Sequence, residues 1–245
     1  MKSRFIFTII LAITISIVSC SGPKESTDIN LSITINSENS DTQYRISFIN
    51  GKGYNAPTFV LWTEDMQGNY LKSLFITKSY ASGVFGHEKV NDSTWKPIPG
   101  PSYQPAALPY WTNKKGLINN ETLIPTHENP FVDALTGATP EQNFEIIVPE
   151  NNEGKFRLLF EVNQTWDWND YWTNNKYPES AAYKNSAQPS VVYAVTISND
   201  MNEFYMNPIG HGDAKGESGK LFTDLSTLST AKEIFKSIKI ERIAK

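Results

Sequence analysis

Thr58-Phe-Val-Leu-Trp-Thr63, then Asp65-Met-Gln-Gly-Asn69, then Tyr70-Leu-Lys-Ser-Leu-Phe-Ile-Thr77 are the consecutive stretches whose reading decides the fold. The outer two are rich in β-branched and aromatic residues and read as strands. Gly68-Asn69 is the turn chemistry expected between antiparallel neighbours. Trp62 and Phe75 are large aromatics within these runs, and both are expected to be buried on the facing strands.

Working outward, Leu31-Ser-Ile-Thr-Ile35 and Tyr44-Arg-Ile-Ser-Phe48 alternate apolar and polar residues, the pattern of half-buried strands. Phe144–Val148, Phe156–Val162, Ser190–Ile197 and the shorter Glu203–Met206 continue that style. One helix is expected late in the chain. Thr230-Ala-Lys-Glu233 has the form of a capping box, and Ala231, Ile234, Phe235 and Ile238 share a helical face. A last alternating strand covers Lys239–Ile243. This pattern predicts a mostly β chain: an antiparallel two-sheet, immunoglobulin-like sandwich with one late helix. A single domain spans residues 30–245, with a long Pro-rich excursion inserted at about 80–143.

Within that excursion, residues 97–140 hold Pro97, Pro99, Pro101, Pro105, Pro109, Pro125, Pro130 and Pro140, eight of the fourteen prolines. Proline has no donor for a sheet ladder, so the segment reads as ordered but not as strands. Ala106-Ala-Leu-Pro-Tyr-Trp111 is expected to make a short helical turn, and Tyr103, Tyr110 and Trp111 favour packing over disorder.

The N-terminus sets the compartment. Lys2 and Arg4 precede an uncharged apolar run, Phe5–Val18, and Ile17-Val18-Ser19-Cys20 matches a lipobox. The run is shorter than the ~20 apolar residues of a comfortable membrane span. Residues 1–19 therefore read as a signal peptide, and residues 20–29 as a tether lipidated on Cys20. Cys20 is the only cysteine, so no internal disulfide can form and the thiol is left to serve as the acyl anchor. The expected location is the cell envelope, periplasmic or outer-membrane, with membrane attachment through the lipid.

Removing residues 1–19 from the 245 leaves 226, enough for one large β domain. A net charge of −4, with no basic run, excludes a phosphate-binding face for nucleic acid. No Ser-His-Asp arrangement, phosphate loop or HExxH pattern is present. The chain reads as an electron carrier or binding protein rather than a stand-alone enzyme.

The excursion closes on Asp133-Ala-Leu-Thr-Gly-Ala-Thr139, which has the form D-x-x-[ST]-G-A-T. This resembles the site at which a bacterial flavin transferase attaches FMN, through a phosphoester, to the final threonine. A chance match in a chain this long has odds of roughly one in a thousand at average residue usage. Pro140 pushes Thr139 towards extended geometry. Gly137 and Ala138 leave the backbone open to another protein's active site. The resemblance assigns Thr139 as acceptor, with Asp133, Thr136, Gly137 and Ala138 as recognition positions and FMN as covalent cofactor. The alternative is a plain Thr-Gly turn leading into the strand at Phe144.

Pro57–Asp65, Gly68, Lys72-Ser-Leu-Phe75, Leu108-Pro-Tyr-Trp111, Gly116 and Asp133–Thr139 occur in an order that resembles the periplasmic domain of unknown function 2271. The likeness covers about residues 30–165. It implies an exported β domain found beside membrane flavin and PepSY-type redox proteins, with a flavin transferase and a membrane redox protein as partners. One departure follows the motif: Glu150-Asn-Asn-Glu-Gly154 stands where members commonly have a Trp-Asp-Gly turn and a Pro-Gly-x-Tyr strand.

Trp166-Asp-Trp168-Asn-Asp-Tyr-Trp172 offers a stacking surface for a sugar or an isoalloxazine ring, with Trp166 and Trp168 on one side of an extended segment. The alternative is aromatic packing that pins a loop to the sandwich. His211 and Asp213, in Gly210-His-Gly-Asp213, offer two ligands where a metal site needs three or four, so no metal is expected. Two functions follow: an envelope lipoprotein carrying covalent FMN in extracytoplasmic electron transfer, or a redox-inert ligand- or glycan-binding lipoprotein.

Overall fold

The computed structural model describes residues 27–35, 42–91, 94–118, 121–149 and 154–244; the expected signal peptide, Cys20 and most of the expected tether lie outside them. Eleven strands build the two main sheets: β1 (Leu31–Thr34), β2 (Thr42–Asn50), β3 (Thr58–Glu64), β4 (Tyr70–Thr77), β5 (Leu135–Gly137), β6 (Phe144–Pro149), β7 (Phe156–Asn163), β8 (Val191–Ile197), β9 (Glu203–Tyr205), β10 (Asn207–His211) and β11 (Phe235–Ala244). One sheet has the order β1-β6-β2-β11-β9 and the other β5-β4-β3-β7-β8-β10. Three short helices, α1 (Lys78–Ser82), α2 (Pro109–Lys114) and α3 (Ala181–Ser186), lie in the connections.

The neighbour relations explain the immunoglobulin-like character. β6-β2-β11 stand as E-B-A, and β4-β3-β7-β8 as C′-C-F-G, with every one of these pairs antiparallel. The place of strand A is taken by the C-terminal β11. The Pro-rich excursion occupies the C′-to-E connection. The sheets are not purely antiparallel, because β1 pairs parallel with β6 and β5 parallel with β4, each at a sheet edge.

Between the sheets lies a phenylalanine core: Phe48 stacks on Phe144 at 4.5 Å, and Phe59 packs on Phe75 and Phe160 at 5.6 and 5.4 Å. A second apolar layer covers the opposite face of the six-stranded sheet, where Val60, Trp62, Ile76 and Leu159 meet Tyr80, Leu108, Trp111 and Phe131. All seven residues of β3 are buried for this reason. Trp62 and Phe75 are both fully buried, as expected, but on opposite faces. A bulge at Leu61/Trp62 brings Leu61 opposite Phe75 and Trp62 opposite Ser73. The Asp65 carboxylate closes the connecting turn by accepting from the Gln67 and Asn69 amides at 2.9 and 2.8 Å.

Two expectations are corrected. The late helix is only a 3-10 turn, Thr230–Glu233, whose N-cap Ser229 makes no side-chain cap bond; Phe235 and Ile238 belong to β11. Pairing with β2 along nearly its whole length outweighs a short, uncapped helical periodicity. The Glu233 and Ile234 carbonyls accept instead from the Gly53 and Gly51 amides, at 3.0 and 2.8 Å. A Cβ on Gly51 would sit 2.0 Å from the Glu233 carbonyl oxygen. Gly51→Ala is therefore expected to cost at least the ~1–3 kcal/mol of an overpacked core, read as a lowered urea midpoint. An unchanged midpoint would rule out this close approach. The excursion also holds short strands, including Gly100–Pro101 and β5, contrary to a strand-free reading. β5 falls between Pro130 and Pro140 and contains no proline, so it can join the ladder.

Candidate functional site

The heptapeptide is not a turn. Leu135, Thr136 and Gly137 run beside Phe75, Ile76 and Thr77 as the edge strand of the six-stranded sheet. Asp133, Thr136 and Ala138 are exposed. Gly137 has a packing reason: a Cβ there would meet the Phe75 ring at 2.9 Å. Thr139, half-buried, leaves the sheet edge and its hydroxyl donates to the Pro57 carbonyl at 3.0 Å. The Tyr54 hydroxyl donates to the Pro140 carbonyl just beyond it. The charge of Asp133 acts on Lys115, whose ammonium is bonded to the Leu123 carbonyl at 2.7 Å and lies 4.9 Å from the Trp111 ring. Burial pulls the Lys115 ammonium down to about 8, and Asp133 opposes that shift.

The tryptophan cluster divides. Trp172 is buried against Tyr171, Tyr183 and His211, so it takes no part in a stacking surface. Trp168 is partly buried against Tyr183, 5.8 Å between rings. Trp166 stays 39% exposed, and Trp166 and Trp168 both line one open groove of about 650 Å³ with Asn174, Asn175 and Lys184. The segment is a turn rather than an extended strand, because Trp166 adopts φ +60°.

Trp166 also lines a second cavity of about 390 Å³, and Thr139 lines the same cavity. Trp95 and His87, from the hairpin formed by Glu88–Asn91 and Thr94–Lys96 and the turn before it, meet Trp166 at 5.8 and 5.3 Å. Among the described residues, three non-glycine residues have positive φ: Ala56, Trp166 and Ala187. The first two line this cavity, and Ala187 bridges to Asp167 beside Trp166. A bulky residue in that region is strained, and such strain persists only where the surroundings over-determine it. Here the restraint is a polar strap. Thr230 donates to the Asp167 carboxylate, and Gln188 receives the Ser229 amide at 2.7 Å and the Asn169 amide group at 3.0 Å. The Asn169 side chain in turn accepts from the Trp172 amide at 2.7 Å. Burial pushes the Asp167 carboxyl up, against the lowering effect of its hydrogen bonds from Thr230 and Gln188.

His211 and Asp213 are both engaged in local contacts. His211 stacks on Phe222 at 5.2 Å with its Nδ1 on the Gly212 carbonyl, and Asp213 accepts from the Lys215 amide and Ser218 hydroxyl. Among the described residues no three or more His, Cys, Asp or Glu side chains converge, and no helix is long and apolar enough to cross a membrane.

Sequence reading missed Trp95, His87 and the buried Glu161. Glu161 was visible as a lone acid inside Leu158-Leu-Phe-Glu-Val162, whereas nothing in the spacing tied Trp95 to Trp166. No family model, curated protein or solved structure matches this chain.

Proposed function

We propose that this chain is a lipid-anchored envelope protein that carries FMN covalently on Thr139 and takes part in extracytoplasmic electron transfer. The observation that carries the reading is the position of Thr139: it follows directly on an exposed edge strand and lines a roomy cavity that also has aromatic lining residues. Edge strands present unpaired backbone groups, which suits presentation to a transferase. The residues fit the group: the exposed Asp133, Thr136 and Ala138 are open to recognition, and the Thr139 hydroxyl donates to the Pro57 carbonyl, a bond that an incoming active site can replace. Attachment would form a bond from Thr139 Oγ to the FMN phosphorus of FAD, release AMP, and pass the hydroxyl proton to the transferase. Bound flavin supplies one- or two-electron chemistry, while this chain positions it and limits its contact with water.

The test is coexpression with an active flavin transferase and intact-mass measurement. One FMN moiety is expected on the peptide containing Asp133–Thr139. Thr139→Val removes the acceptor and should abolish the adduct while costing the fold only the ~1 kcal/mol of one hydrogen bond. Thr136→Val should leave the adduct, and Asp133→Ala should reduce it. A folded wild-type protein left unmodified by a transferase proven active on another substrate overturns the reading. The open groove beside Trp166 and Trp168, with its Asn amides, favours a second reading, a redox-inert glycan- or ligand-binding lipoprotein. Yellow colour that survives denaturation separates the two.

The anchor is tested apart from the cofactor. Cys20→Ser should leave an unprocessed precursor or a soluble exported form, and continued fractionation with acylated lipoproteins would refute the lipobox reading.

A further inference from the structure

We infer that the cavity between Thr139 and Trp166 is the seat of the flavin's isoalloxazine ring, with Trp166 as the positioning residue that holds it. This rests on the reading of Thr139 as the FMN acceptor. The volume of about 390 Å³ lies within the range of small-molecule sites, roughly 300–1,000 Å³. Trp166, Trp95 and Phe85 are apolar lining residues, and Asn55, Gln104 and Asn185 are amide-bearing ones able to donate and accept. That mixture matches a fused aromatic ring whose pyrimidine edge carries carbonyls and an imide N–H.

Trp166 is built for a partner that its neighbours do not provide. His87 and Trp95 meet it at interplanar angles of 64° and 73°, so neither lies flat against the indole. Among the described residues no ring stacks on it, and it remains 39% exposed. The polar strap from Gln188, Ser229 and Thr230 nevertheless holds this loop where its backbone is strained. A loop-packing role asks for no such expense on a half-exposed side chain. Attachment at Thr139 also makes docking intramolecular. The tether raises the ring's effective concentration at the cavity to the millimolar range or so, and one good aromatic contact then decides between docked and swinging.

The experiment uses the full-length chain coexpressed with a flavin transferase and purified as the FMN adduct. Intact mass first reports attachment; flavin emission and its quenching by iodide then report whether the ring is enclosed. The wild-type adduct should emit weakly and resist iodide. Trp166→Leu and, separately, Trp95→Leu should keep the adduct mass and thermal unfolding midpoint. The docked-to-free ratio should fall by about threefold to tenfold in each, the range an aromatic pair contributes. Tyr205→Leu, an exposed aromatic on the far sheet, should change nothing. A wild-type adduct with the emission and iodide access of free flavin, or tryptophan variants indistinguishable from wild type, overturns the ring seat and leaves Thr139 attachment standing. A wild-type chain without the added mass overturns both.

Discussion

Glu161→Leu should destabilise the protein by about 3–5 kcal/mol, the scale for leaving several buried hydrogen-bond donors without an acceptor. Glu161 lies on β7 with no exposed surface and accepts from three donors: the Tyr110 amide at 3.2 Å, the Trp111 amide at 2.7 Å and the Ser190 hydroxyl at 2.6 Å. These bonds dock α2, and with it the Pro-rich cover, onto the outer face of the six-stranded sheet. Leucine would leave all three donors buried without an acceptor, at about 1–3 kcal/mol each, partly offset because a buried acid is removed. Burial pushes the Glu161 carboxyl up to about 7, with the Ser190, Trp111 and Tyr110 hydrogen bonds opposing.

The sign of the pH effect follows from that shift. Between the ordinary carboxylate range and about 7, the folded chain holds a proton that the unfolded chain has released, so wild-type stability should fall as pH rises through this window and level off above it. The leucine variant should lack that component. Urea midpoints from pH 4 to pH 8 for both proteins make the comparison; parallel profiles would mean that Glu161 is ionised throughout.

Truncating the two large aromatics of the first hairpin should be comparably severe, about 3–5 kcal/mol for either Trp62→Ala or Phe75→Ala. Phe75 is fully buried, stacks on Phe59 and underlies Gly137, so its loss opens the main core beneath the heptapeptide edge strand. Trp62 is fully buried on the opposite face, against Tyr110, and its Nε1 donates to Glu64 at 3.1 Å. Glu64 would keep Arg157, 2.9 Å away, but would lose the indole donor in a site without solvent. A marginal change in urea midpoint for either variant would place that side chain at the surface and undo the register of β3 with β4.

Much of this was legible from residue types alone. The hairpin through Asp65–Asn69, the alternating strands on either side and the two-sheet class follow from period-two patterning and turn chemistry, which are local properties of the chain. The candidate acceptor Thr139 was legible as a motif, whereas the packing reason for Gly137, the Phe75 ring, was not. The wall facing Thr139 was not legible. Trp166 carried its aromatic signal, but Trp95 and His87 lie on a hairpin far from it in sequence, and no spacing rule joins them.

The tertiary structure alone decided which face each strand presents. β3 is buried on both sides because the Pro-rich segment folds back as a third layer, and the apolar run Phe59–Trp62 reads alike for one covered face or two. It also turned Phe235 and Ile238 from a helical face into β11, since backbone pairing with β2 is a non-local gain that local periodicity cannot weigh. The heptapeptide became an edge strand for the same reason: Phe75 offers a flat ring, and Gly137 alone can lie that close to it. Local chemistry set the strands and the motif. Long-range pairing and packing chose their partners, and those partners bring Thr139 and Trp166 to one cavity.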